Sequence, residues 1–215
     1  MFDFHSHTFL SDGELGPAEL VRRVEMCGFR AICLSDHVDN GTVEVTVPVL
    51  VRAARELSAA TKLKVLAGCE ITHCRPEHID RIARRARELG AELVLVHGET
   101  PVEPVLEGTN RAAIEAGVDI LAHPGFLTDA DAREAARRGV TLELSGRGGH
   151  SLTNGHVALV ARRAGAAVIF GSDMHRVGDI MDRTMAERVL RGAGLSADEV
   201  AAAFAHAARI AGLAV

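Results

Sequence analysis

Tryptophan and tyrosine are absent from the 215 residues, and aromatic residues make up only 3% of the chain. Bases of single-stranded nucleic acid would find no aromatic platform to stack on, which disfavours that partner. The four cysteines, Cys27, Cys33, Cys69 and Cys74, form no close CxxC pair. A chain of this length needs no disulfide framework, so they read as reduced or structural thiols of a cytoplasmic protein. No apolar run approaches the length of a membrane span, and no basic segment with an apolar stretch after it suggests a signal peptide. The net charge of -5, with Lys and Arg spread evenly, argues against non-specific binding to nucleic acid or anionic membrane. A small anionic substrate stays open, because bound cations reverse the local sign. What is present is ordinary for a soluble globular protein: 47% hydrophobic and 25% charged residues, enough to bury a substantial core.

Short apolar runs alternate with longer amphipathic ones. Strands are expected at residues 2–6, 30–34, 64–68, 92–96, 119–121, 140–144 and 167–170. Between them lie the helical patterns "PAELVRRVEMCG", "VPVLVRAARELSAAT", "RPEHIDRIARRARELG", "EGTNRAAIEAG", "TDADAREAARRG" and "TNGHVALVARRAG". Gly28, Gly90, Gly117, Gly139 and Gly165 are the expected helix stops. Pro17 fits a first helical turn, and Thr128 and Thr153 fit N-caps. "SADEVAAAFAHAARIAGLAV" reads as a last helix near 196–212, packed back on the body. The repeating order favours a parallel sheet with helices outside it. No linker interrupts it, so one domain is expected over residues 1–215.

Polar residues decide between an open sheet and a barrel. In "MFDFHSHTFLSDGEL" an extended chain places Phe2, Phe4 and Ser6 on one face and Asp3, His5 and His7 on the other. Buried in a sheet, the second face needs partners. His5 and His7 end the first strand, Asp36 and His37 follow the second, and Glu70 follows the third. His97 and His123 follow the fourth and fifth, and Asp173 and His175 the seventh. A doubly wound sheet concentrates its site at one crevice, whereas a barrel brings many strand ends to one rim. The barrel is therefore expected.

Imidazoles and carboxylates together suit zinc, manganese or iron. His5, His7, Asp12, His37, Glu70, His97, His123, Asp173 and His175 are too many donors for one tetrahedral ion. Two or three divalent ions are expected, with a carboxylate bridging. Adjacent ions can hold both oxygens of an in-line displacement and generate hydroxide near neutral pH, chemistry most useful on phosphate. His78, His156 and His206 fall in helical patterns and stand outside the set.

"FHSHT", "SDG", "SDH", "GCE", "VHGE", "AHPG" and "GSDMH" follow one another from residue 2 to about residue 176. This ordered series resembles the PHP (polymerase and histidinol phosphatase) superfamily of metal-dependent phosphoesterases. The resemblance implies a distorted (βα)7 TIM-like barrel with its metals at the C-terminal rim. Carried onto this chain, one ion would take His5, His7, Glu70 and Asp173. A second would share Glu70 and add His97 and His123. A third would be held by Asp12, His37 and His175, with Asp12 standing where some relatives have histidine. His5, His7, Glu70, His97, His123, Asp173 and His175 would then carry the catalysis.

Around this set, Asp3 and Asp36 are expected to orient ligand imidazoles, with a turn cap as the alternative for Asp36. Glu99 is expected to support the ligands from behind, and His73 to be a plain loop histidine. "SGRGGHSLTNGH" lacks the GK[ST] of a phosphate loop, but its glycines permit close approach and Arg147 can fork to phosphate oxygens. Arg176 is the second candidate for substrate. "RIARRAR" and "AREAARR" read as solvated faces.

The expected function is hydrolysis of a small phosphomonoester, histidinol-phosphate-like or nucleotide-like, by metal-activated hydroxide. Alternatives are a 3'-5' exonuclease-type phosphodiesterase and a non-catalytic, metal-stabilised PHP scaffold. An amidohydrolase-like enzyme would commonly need a carboxylated lysine, and neither Lys62 nor Lys64 lies at a strand's C-terminal tip. No stable nucleic-acid or membrane partner is expected, and the oligomeric state stays open.

Overall fold

The computed structural model describes residues 1–214. Eight strands form one parallel sheet: β1 (Phe2–Asp3), β2 (Ala31–Leu34), β3 (His37–Val38), β4 (Lys64–Ile71), β5 (Leu93–His97), β6 (Ile120–Ala122), β7 (Thr141–Ser145) and β8 (Val168–Gly171). The order around the sheet is β1-β2-β4-β5-β6-β7-β8, with β3 paired to β4 beyond β2. β1 and β8 share no regular ladder; one bridge between Ser6 and Met174 nearly closes the ring. The expected TIM-like barrel is the one observed.

Alternation sorts the strand residues into two layers. Facing inward, Phe2, Phe4, Ala31, Cys33, Leu66, Leu93, Leu95, Ile120 and Ile169 form a compact apolar plug. The outward residues, such as Ile32, Val94 and Leu142, pack beneath the helices. These are α1 (Pro17–Met26), α2 (Val43–Ala60), α3 (Pro76–Glu88), α4 (Thr109–Ala116), α5 (Asp129–Arg138), α6 (Asn154–Ala164), α7 (Arg183–Gly192) and α8 (Ala197–Ile210). In α3, Ile79, Ile82, Ala83 and Ala86 recur at helical spacing and are buried. Its arginines face solvent, where Arg84 and Arg85 pair with Asp80 and Glu44, so this face is solvated as expected. Among the described residues, no helix is long and apolar enough to cross a membrane.

α8 closes the N-terminal end of the barrel. Ala207, Ala208 and Ala211 join the interior plug, and Lys64, the first residue of β4, donates to the Ala211 carbonyl at 2.7 Å. Small side chains here let the helix end approach the strand starts. The opposite end is left for polar residues.

Several local expectations change. β1 stops at Asp3 instead of running to residue 6, and the short β3 and the helix α7 were not expected. α2 begins at Val43, so Pro48 lies inside the helix, not at its start. Thr128 caps α5, accepting from the Asp131 N–H at 3.0 Å. Thr153 caps nothing with its side chain, because a 3-10 turn over His150–Thr153 leads directly into α6.

Candidate metal centre

The rim at the strands' C-terminal ends gathers residues from almost the whole length of the chain. Glu70, fully buried near the end of β4, is its centre: Oε1 lies 3.3 Å from His5 Nε2 and 3.4 Å from His123 Nε2. Its Oε2 lies 3.6 Å from His7 Nε2 and 2.9 Å from His37 Nδ1. Asp173 Oδ1 sits 3.3 Å from His7 Nε2 and 3.6 Å from His5 Nε2. Asp12 faces His37 and His175 at 3.4 and 3.2 Å. His97 joins through its ring, whose centroid is 4.4 Å from that of His123. All nine expected donors thus meet at one rim.

The first strand reaches it by breaking its own alternation. Phe2 and Phe4 both belong to the interior plug, yet His5 and His7 also point inward, one layer higher. The switch is made by Asp3, whose carboxylate accepts from the His5 N–H at 3.1 Å and from the Ser172 N–H at 3.2 Å. This local turn ends the ladder after Asp3 and re-aims the next residues. Two other ligand-type residues also rely on an unusual backbone. His123 and Asp173 have φ of 27° and 54°, as does His73 at 51°, and these are the positive-φ non-glycine residues among those described. Such conformations cost of order 1–3 kcal/mol each and concentrate where side-chain placement matters more than local comfort.

Polar atoms at the centre lack partners. His5 Nε2, both His7 nitrogens, Glu70 Oε1 and His123 Nδ1 are buried and make no hydrogen bond. A buried polar atom without a partner costs about 1–3 kcal/mol, so this many in one place fit a site shaped to hold a cation. Imidazole nitrogen and carboxylate oxygen form the donor set of zinc, manganese or iron, and the residues fit such a group.

The surrounding charges point the same way. Burial pulls His5 downward, but Glu143, Glu70 and Asp173 outweigh it and hold the imidazole well above its ordinary value. Burial pushes Glu70 upward, and His5, His123 and His37 overcome that, keeping the carboxylate well below its usual range. Asp173 follows the same pattern, with His5 and His7 overcoming burial. His7, buried with weaker compensation, falls to about 4. The centre holds its carboxylates ionised against their burial, as a cation site requires.

The residues flanking the donors differ from expectation. Neither Asp3 nor Asp36 touches an imidazole ring: Asp36 accepts from the Thr8 N–H at 2.8 Å and the Ser11 hydroxyl at 2.8 Å, tying down the loop that carries Asp12. Glu99 turns away and accepts from Gly108 and Asn110 N–H groups at the start of α4. The carboxylate that does orient a ring is Glu143, fully buried on β7, which accepts from His5 Nδ1 at 2.6 Å. Gly171 on β8 makes room for it, since a Cβ there would collide with the Glu143 carboxylate. Alternation in "TLELS" placed Glu143 inward with Thr141 and Ser145, and that was its only signal in the sequence.

His73 lies in the loop after β4, as expected, and there reaches Glu103 at 3.2 Å, beside His97. His150, in the 3-10 turn after β7, lies 3.6 Å from Asp173 and is buried. Arg147 extends into the cavity, 3.6 Å from Asp173 and 2.6 Å from His175 Nδ1. Arg176 is exposed and paired with Asp179 at 3.2 Å, lining a neighbouring cavity. His78, His156 and His206 bond to Asn40, Leu127 and Thr141, away from the rim.

Glu143 gives a direct prediction. Glu143→Gln keeps the shape but weakens the acceptor that fixes the His5 proton on Nδ1. Metal affinity is expected to fall about 10–100-fold, the usual cost of losing the group behind a ligating imidazole. Chelator competition measures it, and unchanged affinity would reduce Glu143 to a filler of the β7–β8 seam.

A PHP domain family model matches residues 3–187. An uncharacterized protein of Methanocaldococcus jannaschii is 43% identical over 207 residues, covering 95% of each chain. The crystal structure of histidinol phosphate phosphatase from Lactococcus lactis, complexed with zinc, L-histidinol and phosphate, superposes with a TM-score of 0.63 at 17% identity. It covers 91% of this chain and 94% of that one. The A. niger ochratoxinase structure superposes comparably, with a TM-score of 0.62 at 11% identity over 98% of this chain and 71% of the other. At such identities the two superpositions speak for the fold alone. The family match runs from Asp3 in β1 past the end of β8 and takes in every donor at the rim, and the chain belongs to the PHP domain family.

Proposed function

We propose that this protein hydrolyses a small phosphomonoester with two or three divalent ions held at the rim. The observation that carries the reading is the group of buried, unpartnered imidazole and carboxylate atoms around Glu70, opening on a cavity that Arg147 also lines. Ions would be held by His5, His7, Glu70 and Asp173, by His97 and His123 with Glu70, and by Asp12, His37 and His175. When bound, they supply an activated water and neutralise charge building on phosphate.

The chain's own residues do the rest. The central cavity, about 220 Å³, adjoins a second of about 510 Å³, and Asp12, Arg147 and His175 line both. The first suits a phosphoryl group and the second the group that leaves. Arg147 stands between them. Its present contact with His175 is one of two competing choices: His175 Nδ1 also lies 3.0 Å from the Asp173 carbonyl. For His175 to offer Nε2 to a cation, its proton must sit on Nδ1 and be donated to that carbonyl. Arg147, itself only a donor, then turns from the ring toward the cavity, where its fork matches two phosphate oxygens.

C–N cleavage by an amidohydrolase-like enzyme is the second reading, and the lysines disfavour it. Lys64 sits at the barrel's opposite end, donating to Ala211, and Lys62 lies two residues before it, ahead of β4. Neither can bridge ions at the rim.

The test is a hydrolysis screen over phosphomonoesters, a phosphodiester and a single-stranded oligonucleotide, with Mn, Zn, Fe and Mg supplied separately. Release of phosphate from a monoester is expected. Cleavage of the oligonucleotide alone would instead favour the exonuclease-type phosphodiesterase, and no cleavage with any metal the scaffold. On the best monoester, Arg147→Ala is expected to lower kcat/KM by about ten-fold or more, the worth of a charge-assisted contact, with metal content unchanged. An unaltered kcat/KM would move phosphate binding to Arg176.

A further inference from the structure

We infer that Glu103 and His150, from the loops after β5 and β7, are ligands of the ion on the β5–β6 side, together with His97 and His123. The inference rests on reading the rim as a metal centre and leaves the identity of the substrate open.

His97, His123 and His150 are all buried, and each offers a ring nitrogen within 4.8 Å of the others. Their shared carboxylate is Glu103. Its Oε2 lies 3.1 Å from His97 Nε2, and its Oε1 lies 3.3 Å from His150 Nε2. Donors around a tetrahedral ion with bonds of about 2.0–2.2 Å are separated by about 3.3 Å, so both edges have the right length. His123 stacks on His150 with ring centroids 4.1 Å apart, and its Nε2 lies 3.4 Å from Glu70 Oε1, so the same ion would keep its contact with Glu70.

Proton positions strengthen the case. His97 Nδ1 donates to the Gly98 carbonyl at 3.2 Å, and a carbonyl can only accept. A neutral His97 therefore turns the lone pair of Nε2 toward a carboxylate oxygen, an arrangement that repels unless something positive lies between them. Thr100 holds His150 in the matching way, its hydroxyl 2.8 Å from Nδ1, which leaves Nε2 to face the cavity. Ligating histidines usually carry such a partner on the other ring nitrogen. His73 Nε2, 3.2 Å from Glu103 Oε2, braces the carboxylate from the open side. Gly149 fits the same scheme: with φ of 90° and Val102 against it, it seats His150 beside the loop that carries Glu103.

The experiment compares metal retention in the full-length protein with that in Glu103→Ala and His150→Ala, with His78→Ala as a control outside the cluster. Each protein is loaded with zinc or cobalt, dialysed against graded chelator and assayed for ions per chain, and the visible spectrum of the cobalt form is recorded. One ion per chain is expected to leave at about ten-fold lower chelator concentration or less in both variants, with a changed cobalt spectrum. The remaining ions and the control should behave as in the parent. Glu103 lies on an open loop, so its replacement leaves folding intact, and circular dichroism checks the same for His150→Ala. Parental retention and spectrum in either variant would overturn the assignment. Because the readout is metal content, a failure to cleave any phosphomonoester would leave this result standing.

Discussion

Glu70→Ala is expected to strip the rim of at least two ions and to abolish hydrolysis in the same step. Its two oxygens reach four imidazoles: one faces His5 and His123 and the other faces His7 and His37, all within 3.6 Å. Its loss removes a bridging charge and leaves buried imidazoles facing one another. A fall in kcat/KM of about 1,000-fold or more is expected, roughly 4 kcal/mol of transition-state stabilisation. Breaking a buried charge network also costs about 3–5 kcal/mol of stability, so the isosteric Glu70→Gln should accompany it. Metal analysis beside kinetics reads the outcome. A Glu70→Gln protein with a full complement of ions would show that the carboxylate is structural.

Removing the metals should matter nearly as much to the fold. Protein purified without chelator is expected to carry two or three transition ions per chain, and one or fewer would sink the cluster. The donors come from strand ends throughout the barrel, so the unfolded chain cannot assemble them and binding favours the native state alone. At a free concentration 1,000 times Kd, each ion adds about 4.1 kcal/mol. For a protein of this size that corresponds to roughly 8–16 °C of Tm per ion. Chelation should lower Tm by at least that much, and resupplied metal should restore it. A Tm indifferent to chelator would mean that the unpartnered atoms at the rim are tolerated without a cation.

The fold and the donors were legible in the sequence because both are local. A strand ends where its apolar run ends, and a histidine or carboxylate at that tip is visible without knowing its neighbours. Nine such residues at six strand ends imply convergence, since only a closed or nearly closed sheet brings that many strand ends together. The supporting groups were legible only in part. Asp3 and Asp36, adjacent in sequence to ligands, were expected to hold imidazoles and instead hold backbone N–H groups and hydroxyls. Sequence proximity could not reveal this, because neighbouring residues on a strand point to opposite faces.

Tertiary structure decided which atom faces which. Glu143 and His5 are 138 residues apart, and only the β7-β8-β1 neighbourhood at the seam brings the carboxylate onto the ring. Glu103 and His150 lie on separate loops, with no periodicity to mark either as pointing inward. The positive φ of His123 turns inward a side chain that alternation from Ile120 and Leu121 would have placed outward. The sequence by itself determined the barrel, the family and most of the imidazoles and carboxylates that gather at the rim, since hydrophobic period and residue chemistry are properties of short segments. The ring nitrogen that carries the proton, the carboxylate behind it and the loops that complete the rim depend on register and closure, which exist only once the chain is folded.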